Sequence, residues 1–258
     1  MTRADQALVE RGLCDSREKA KRLILAGQVR INGHAAHKPS DTVKPADELT
    51  VEAQEKFVSR GGHKLEHALN HFQLSVTGLT AIDLGASTGG FTDCLLQHGA
   101  ARVFAVDVGQ GQLAWKLRQD PRVVVMEKTN ARYLTSEDFA GGEKKLSPPH
   151  SPVQPPADLV VVDCSFISLK KILPPAVPLV KPGGRMVALI KPQFEAGKAE
   201  ADKGRGVITD AAVHERVLEE LRQFVTAQTG LCWHGVVQSP LLGPAGNKEF
   251  LALIEKVC

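Results

Sequence analysis

Charged side chains flank several short apolar runs in this sequence, and their types could carry out chemistry on a bound substrate. Asp83, Asp107, Asp163 and Lys191 each follow such a run directly, and Glu249 directly precedes one. Parallel strands bind ligands beyond their carboxyl ends, so we expect the first four to lie together at one edge of a sheet. Lysines and carboxylates in one pocket can orient a hydroxyl group and remove its proton. Any one of these charges alone could instead be a solvated strand end.

A glycine-rich turn, Asp83-Leu84-Gly85-Ala86-Ser87-Thr88-Gly89-Gly90-Phe91, separates one apolar run from a predicted helix. Glycine lets the backbone approach a ligand where a Cβ atom would collide. The turn does not have the G-x-G-x-x-G spacing of dinucleotide folds, and no lysine follows it as in a P-loop. A ligand with a ribose but no pyrophosphate fits better, and S-adenosylmethionine is the common one. The predicted contacts to this cofactor are Asp83, Gly85, Ser87, Gly89, Gly90, Phe91 and, for the ribose hydroxyls, Asp107.

The elements that must hold these residues alternate between strands and helices from residue 79 onward. Several strands are continuous apolar runs, such as Leu159-Val160-Val161-Val162, which is typical of a parallel sheet covered on both faces. We therefore predict an α/β fold with a mostly parallel sheet. The predicted strands lie near 79–83, 102–107, 122–126, 157–163 and 185–190.

The first 55 residues have a different pattern, which predicts a small α+β module. A helix over residues 4–13 precedes a second helix, for which Asp15 and Glu18 have the spacing of a capping box. An Asn32-Gly33 turn and the strand Leu49-Thr50-Val51 follow. Residues 1–38 carry a net charge of +4 in a chain whose total is +3. Such local charge is expected of a nucleic-acid contact, although a solvated helix face would also explain it.

Composition limits the class of protein. The hydrophobic content of 43% and the charged content of 24% are ordinary for a globular protein. The five cysteines form no C-x-x-C pair, which argues against a zinc site or a disulfide framework. The sequence shows no secretory signal and no apolar run of about 20 residues. We predict a soluble, cytoplasmic protein with no metal site, no membrane contact and no obligate protein partner.

The domain boundaries follow from these patterns. We predict a small nucleic-acid-binding domain over residues 1–55, a linker over 56–62 and a ligand-binding α/β domain over 63–258. A polar, proline-rich insertion over 140–157 is expected to be mobile and not catalytic.

The N-terminal module resembles the S4 RNA-binding domain, whose basic second helix contacts RNA phosphates. The resemblance implies that Arg3, Arg11, Arg17, Lys21 and Arg22, with Arg60 beyond the module, bind RNA. The matching residues are Arg3-Ala4-Asp5, Leu8-Val9, Arg11-Gly12-Leu13, Ser16-Arg17, Ala20, Leu23-Ile24, Gly27-Gln28-Val29, Ile31-Asn32-Gly33 and Lys38-Pro39-Ser40.

The whole chain resembles the TlyA family, whose members are often labelled hemolysin A. The motifs that carry this resemblance are Ser59-Arg60-Gly61-Gly62-His63-Lys64-Leu65, the glycine-rich turn, Asp163-Cys164-Ser165-Phe166-Ile167-Ser168 and Lys191-Pro192-Gln193-Phe194-Glu195. The resemblance implies a Rossmann-like methyltransferase with a seven-stranded sheet, similar to the FtsJ type of RNA ribose 2′-O-methyltransferase. It also implies a catalytic tetrad of Lys64, Asp163, Lys191 and Glu249.

The resemblance further implies that the substrate is ribosomal RNA, methylated at the ribose 2′-oxygen of cytidine. The family divides into a longer kind, which acts on the RNA of both subunits, and a shorter kind, which acts on the large-subunit RNA. The short N-terminus before Arg3 and the end of the chain soon after the last strand favour the shorter kind, and action on the small-subunit RNA as well stays open. Asn130, Ala131 and Arg132 are expected beside the cofactor's adenine, although Asn130 could equally be an ordinary helix N-cap.

The residue types suit this reaction, because a ribose hydroxyl must lose its proton as it attacks a methyl group. Lys191 can accept that proton only when neutral, which requires a pKa lowered by burial or by a nearby positive charge. Lys64 would supply such a charge and hold the hydroxyl or its phosphate. Asp163 and Glu249 favour the protonated lysines, so we expect them to orient the lysines and balance the charge.

Three alternative functions stay open, and two single features also need an interpretation. The chain could be a non-catalytic S4-type ribosome-assembly factor, a membrane-lytic protein as the family label suggests, or a nicotinamide oxidoreductase, and the last two are disfavoured. Trp115 could stack on a base, but an isolated aromatic residue is expected to pack in the core. The spaced histidines His63, His67 and His71 are expected to form a solvated face and not a metal site.

Overall fold

The structure, a computed structural model, describes residues 1–51, 55–142, 157–197, 200, 202 and 204–257. The chain divides into two compact units, Met1–Lys56 and Phe57–Cys258. Most of the insertion predicted over 140–157 lies outside the described residues. Within the described parts, no helix is long and apolar enough to cross a membrane.

The first unit packs two helices against short antiparallel strands. Ala4, Leu8, Ala20, Ile24 and Val29 are buried in its core. The strand order is β3-β2-β5 in one sheet and β1-β4 in the other. The elements are β1 (Thr2–Arg3), α1 (Ala4–Glu10), α2 (Arg17–Leu25), β2 (Val29–Ile31), β3 (His34–Ala35), β4 (Thr42–Val43) and β5 (Leu49–Val51).

Two boundaries in this unit differ from the sequence prediction. The first helix ends at Glu10 and not at residue 13, because Gly12 has a φ of 69°, which a helix cannot continue through. The N-cap of α2 is Ser16 and not Asp15: the Ser16 hydroxyl accepts a hydrogen bond from the Lys19 amide at 3.3 Å.

A buried carboxylate joins the two helices of the first unit. Asp5 on α1 has no solvent-exposed surface, and it is paired with Arg3 and with Arg17 of α2, each at 3.0 Å. The hydrogen bond from Arg3, with the help of Arg17, lowers the pKa of Asp5 below its usual range. Two of the cations predicted to bind RNA therefore also hold this unit together.

The second unit is a single sheet with helices on both faces. Among its described residues, 3₁₀ helices span Ala131–Tyr133, Ser136–Gly142 and Val177–Leu179. Its helices are α3 (Gly61–His71), α4 (Gly90–Gln97), α5 (Trp115–Arg118), α6 (Leu169–Ala176), α7 (Pro192–Glu195) and α8 (Ala211–Thr226). Its strands are β6 (Thr80–Leu84), β7 (Arg102–Val106), β8 (Val123–Met126), β9 (Ala157–Val162), β10 (Val180–Ile190), β11 (Leu231–Gln238) and β12 (Phe250–Lys256).

The seven strands lie in the order β11-β12-β10-β9-β6-β7-β8. Neighbours from β10 to β8 are parallel, whereas β12 is antiparallel to both β10 and β11. Successive residues of a strand face opposite cores: Val160 packs on the side of α6 and α8, and Val161 packs on the side of α3 and α4. The predicted fold class, a mostly parallel seven-stranded sheet beside a small α+β unit, is confirmed.

Two local predictions for this unit differ from the structure. Phe57, from the segment predicted as a linker, is buried against α3, and a Cβ atom on Gly62 would collide with its ring. Helix α3 starts at Gly61, inside the segment predicted as a linker, so Lys64 lies in the first turn of the helix. Trp115 does not pack in the core, because it begins the short helix α5 with its side chain turned outward, 74% exposed.

We predict that Asp5→Ala loosens the first unit, since it leaves two arginines without their buried partner. Hydrogen exchange of the amides in α1 and α2 of the full chain should quicken by about tenfold or more. Asp15→Ala is the matched control, because Asp15 forms only an exposed pair with Lys19. Equal exchange in the two variants would contradict a structural role for Asp5.

Candidate active site

The sheet topology brings the predicted catalytic residues to one edge. Asp163 follows β9 and Lys191 follows β10, and these strands are parallel neighbours. Glu249 precedes β12, which runs the other way, and Phe250 is paired with Ile190 in the register. The antiparallel strand thus carries Glu249 to the edge at which the parallel strands end, next to Lys191.

The four tetrad residues form two ion pairs. Lys64 Nζ lies 2.5 Å from Glu249 Oε2, and Lys191 Nζ lies 2.6 Å from Asp163 Oδ1. Lys64 and Lys191 are only 7% and 8% exposed, and Glu249 is fully buried. Buried charges of this kind are tolerated when each has an opposite partner at hydrogen-bond distance. The second carboxylate oxygen of Glu249 has no hydrogen-bond partner among the described residues.

One member of each ion pair shares a cleft with the glycine-rich turn. Lys64 and Asp163 line this cleft together with Gly85 to Thr88, Gly90 and Phe91. Arg60, which the sequence assigned to RNA binding, lies at the same cleft together with Ser59 and Pro244. A ligand seated on the glycine-rich turn would therefore lie beside both ion pairs.

The predicted glycines allow close approach to different neighbouring residues. Gly85 has a φ of 88°, and a Cβ atom there would lie 2.8 Å from the carbonyl oxygen of Asp163. Only glycine lets the end of β6 approach the end of β9 so closely. A Cβ atom on Gly89 would collide with Leu113 and Leu117, so this glycine accommodates the segment leading into α5. A Cβ atom on Gly90 would collide with Ser59.

Two further acids predicted to bind the cofactor differ sharply in environment. Asp107 accepts the amide hydrogens of Ser87 at 2.8 Å and Gly109 at 2.6 Å, so it ties the glycine-rich turn to the loop after β7. Asp83 is fully buried below the turn, and Thr92 Oγ1 donates to its Oδ2 at 2.7 Å. Its Oδ1 has no partner among the described residues, and burial raises the pKa of Asp83 to about 7.

The segment predicted to contact adenine follows β8. The Asn130 side chain accepts the amide hydrogen of Arg132 at 3.0 Å and caps the 3₁₀ helix, as an ordinary N-cap would. Ala131 is buried in the core, whereas Arg132 is exposed and lies over the ring of Tyr133. Their contacts with a cofactor stay predictions.

Two residues of the site were missed as functional candidates, although both belong to the quoted motif after β9. Ser165 Oγ accepts a hydrogen bond from Lys191 Nζ at 2.8 Å. Phe166 is 90% exposed with a φ of 62°, and its ring lies 5.2 Å from that of Phe194. The neighbouring Cys164 is not a nucleophile, because burial raises the pKa of its thiol to about 12. The only signal in the sequence was proximity to Asp163.

The cations predicted to bind RNA in the first unit differ in their internal contacts. Arg3 and Arg17 are held by Asp5, and Lys21 is paired with Glu18 at 2.8 Å. Arg11 donates to the backbone carbonyls of Lys44, Pro45 and Asp47. Arg22 is exposed, and its side chain forms no hydrogen bond within the part of the chain that the structure describes. It is therefore the cation best placed to bind a phosphate without loss of an internal contact.

The histidine row on α3 carries no metal site. His67 and His71 stack with ring centroids 6.4 Å apart. Among the described residues, no group of three or more histidines, cysteines or carboxylates could hold a metal ion.

Comparisons with known proteins agree with this geometry. Residues 57–256 match the family model of FtsJ-like methyltransferases, and residues 2–49 match that of the S4 domain. The 16S/23S rRNA (cytidine-2′-O)-methyltransferase TlyA of Mycobacterium tuberculosis is 49% identical over 253 residues, which cover 96% of this chain and 87% of that protein. Hemolysin A of Brachyspira hyodysenteriae is 40% identical over 250 residues, covering 97% and 98%.

A solved structure also resembles the whole chain. It is of a protein from Streptococcus thermophilus that was assigned as a hemolysin, with 44% sequence identity and a TM-score of 0.70, and the match covers 99% of this chain and 88% of that one. From the family models and these relatives, the chain belongs to the TlyA family, in which an S4 domain is joined to an FtsJ-like, S-adenosylmethionine-dependent methyltransferase.

Proposed function

We propose that this protein methylates the ribose 2′-oxygen of cytidine in ribosomal RNA. The observation that carries the proposal is the pair of buried lysine–carboxylate contacts beside the glycine-rich turn, Lys64 with Glu249 and Lys191 with Asp163. In this proposal residues 1–55 bind RNA and residues 63–258 catalyse the transfer. A ribosomal substrate also implies that the protein works in the cytoplasm.

The residues around the cleft fit S-adenosylmethionine. Its positively charged centres suit a cleft with Asp163 on its wall. Asp83 Oδ1, which is buried below the turn and has no partner among the described residues, offers a further hydrogen-bonding atom. Asp107, at the end of β7, is placed to accept ribose hydroxyls, since each carboxylate oxygen can take a second hydrogen bond. When bound, the cofactor supplies an electrophilic methyl group, and the protein supplies position and proton removal.

Lys191 is the residue best placed to take the proton of the 2′-hydroxyl. It must first release a proton of its own, and Asp163 at 2.6 Å and Ser165 at 2.8 Å are the groups that can receive or pass it on. Ser165 is exposed, so it offers a route from the buried lysine to water. Lys64 is paired with Glu249 and can hold the hydroxyl or the adjacent phosphate.

The exposed ring of Phe166 supplies a surface for the target base. Enzymes that act on unpaired RNA stack splayed-out bases on aromatic side chains. Phe166 is three residues after Asp163, so a base stacked on it would place its ribose near the ion pairs.

We predict that Lys191→Ala lowers methyl transfer by at least about a hundredfold, because it removes the proton acceptor. The S-adenosylmethionine dissociation constant should stay within about twofold, since the glycine-rich turn is unchanged. The measurement is transfer of labelled methyl groups to purified small and large ribosomal subunits. Lys181→Ala is the control, because Lys181 forms an exposed pair with Asp158 that lies outside this cleft.

Wild-type turnover by Lys191→Ala would remove Lys191 as the base. Label in RNA of the large subunit, the small subunit or both would define the substrate. No label on either subunit despite measured cofactor binding would contradict the proposed function.

We predict that Asp83→Asn changes how stability depends on pH. Because burial raises the pKa of Asp83, the folded state favours the protonated acid, and stability falls as pH rises through about 7. Between about pH 5.5 and pH 8 the wild type should lose about 2 kcal/mol of unfolding free energy through this group. Denaturant titrations at both pH values should show a flatter profile for the variant. An identical profile would mean that Asp83 is ionised throughout.

We predict that Arg22→Ala weakens RNA binding and reduces its salt dependence. Loss of one phosphate contact should make the slope of log affinity against log salt shallower by about 1. Filter binding with ribosomal RNA at several salt concentrations measures this slope. Arg222→Ala, which removes an exposed arginine paired with Glu219 on α8, should leave it unchanged. Equal slopes for the wild type and Arg22→Ala would move the RNA contact away from α2.

A further inference from the structure

Two neighbouring loops carry the second ion pair of the site. One follows β9 and runs from Asp163 to Ser168, where α6 begins. The other follows β10 and consists of Lys191 and the short helix α7. The distance between Lys191 and Asp163 therefore depends on how these two loops are held against each other.

Glu195, at the end of α7, reaches across to the first loop. Its Oε2 accepts the hydroxyl hydrogen of Ser168 at 2.6 Å, and its Oε1 accepts the amide hydrogen of Leu169 at 2.7 Å. Burial raises the pKa of Glu195, and these two hydrogen bonds offset part of that effect. The partly buried carboxylate is thus held by its two hydrogen-bond donors, with a smaller stabilising effect from the positive charge of Lys170.

Helix α6 needs such an acid because its own first turn has none. Lys170 and Lys171 occupy positions where a positive charge opposes the helix dipole. The Ser168 side chain caps the helix by accepting the Lys170 amide hydrogen at 3.1 Å. Glu195 supplies a negative charge to this turn from another loop, so α7 helps to stabilise the start of α6.

The same contact supports an unfavourable backbone conformation. Phe166 has a φ of 62°, which is uncommon for a large side chain and persists only when its surroundings hold it. On the side of α7, Phe194 contacts its ring, and Glu195 fixes Ser168 two residues further on. Loss of the Glu195 carboxylate would release this loop at the point where it presents Asp163, Ser165 and Phe166.

We propose that Glu195 is a positioning residue for methyl transfer, whose carboxylate fixes the Asp163–Ser168 loop against the loop that carries Lys191. This inference rests on the proposed function, because the reaction that it supports is methyl transfer to RNA. Glu195 acts through Lys191, Asp163 and Phe166 and does not itself touch the substrate. It should therefore influence the rate of transfer more than the affinity for the cofactor.

The test compares Glu195→Ala and Glu195→Gln in the full chain. Displacing catalytic groups by about 1 Å can cost about a hundredfold, so kcat of Glu195→Ala should fall by about tenfold to a hundredfold. The S-adenosylmethionine dissociation constant should stay within about twofold, because the glycine-rich turn is untouched. Glutamine can still accept one hydrogen bond, so Glu195→Gln should retain kcat within about threefold to fivefold.

Glu220→Ala is the matched control, because Glu220 also pairs with the first turn of α6, through Lys170 at 3.1 Å, without joining the two loops. Hydrogen exchange at the Leu169 amide, measured without RNA, reports on the contact itself. It should quicken in Glu195→Ala and not in Glu220→Ala. If Glu195→Ala does not fold, Ser168→Ala removes one donor and should also lower kcat at unchanged cofactor affinity.

Three results would overturn the inference. They are wild-type kcat in Glu195→Ala, an equal loss of kcat in Glu220→Ala, and unchanged exchange at Leu169 in Glu195→Ala. A wild-type protein that labels no ribosomal subunit would contradict the proposed function before any variant is compared. Hydrogen exchange at the Leu169 amide would then still show whether Glu195 makes this contact.

Discussion

The site depends on a single electrostatic constraint: two lysines are removed from water, so each must have a carboxylate within hydrogen-bond distance. Lys64 lies on α3, and its partner Glu249 precedes β12. Lys191 follows β10, and its partner Asp163 follows β9. Neither lysine could be buried if the sheet register were different, because an unpaired buried charge costs several kcal/mol. The antiparallel insertion of β12 next to β10 is therefore as much a requirement of the chemistry as the lysines are.

Much of the fold and part of the site could be predicted from local sequence. The apolar runs that end in Asp107, Asp163 and Lys191 are strands, since a continuous apolar run covered on both faces has few other solutions. Parallel strands end at the same edge of a sheet, so the pattern predicts that Lys191 and Asp163 lie close together. The contact between Lys64 and Glu249 follows less directly, because the residues are 185 positions apart and meet only through the tertiary arrangement.

The remaining features of the fold and the site depend on contacts between distant parts of the chain, which a local sequence pattern does not show. Trp115 is a large apolar residue of the kind usually found in a core, but it begins the four-residue helix α5, which turns its side chain outward. Arg3 and Arg17 have the charge of RNA ligands, yet Asp5 holds both from inside the unit. Glu195 has no helical or strand periodicity that would distinguish it, and its partners Ser168 and Leu169 belong to another loop. In each case the deciding neighbour is distant in sequence.

Because the four tetrad residues are paired, binding of RNA and removal of a proton would depend on different residues. Two positive and two negative side chains cancel, so these four residues contribute no net attraction for a polyanion. In the proposed function, attraction for RNA would come from cations elsewhere on the surface, such as Arg22, that take no part in proton removal. Substitutions in those cations would then change the affinity for RNA and leave the two ion pairs intact. The proposed function thus allows the choice of RNA to be altered at the surface without a change in the residues that remove the proton.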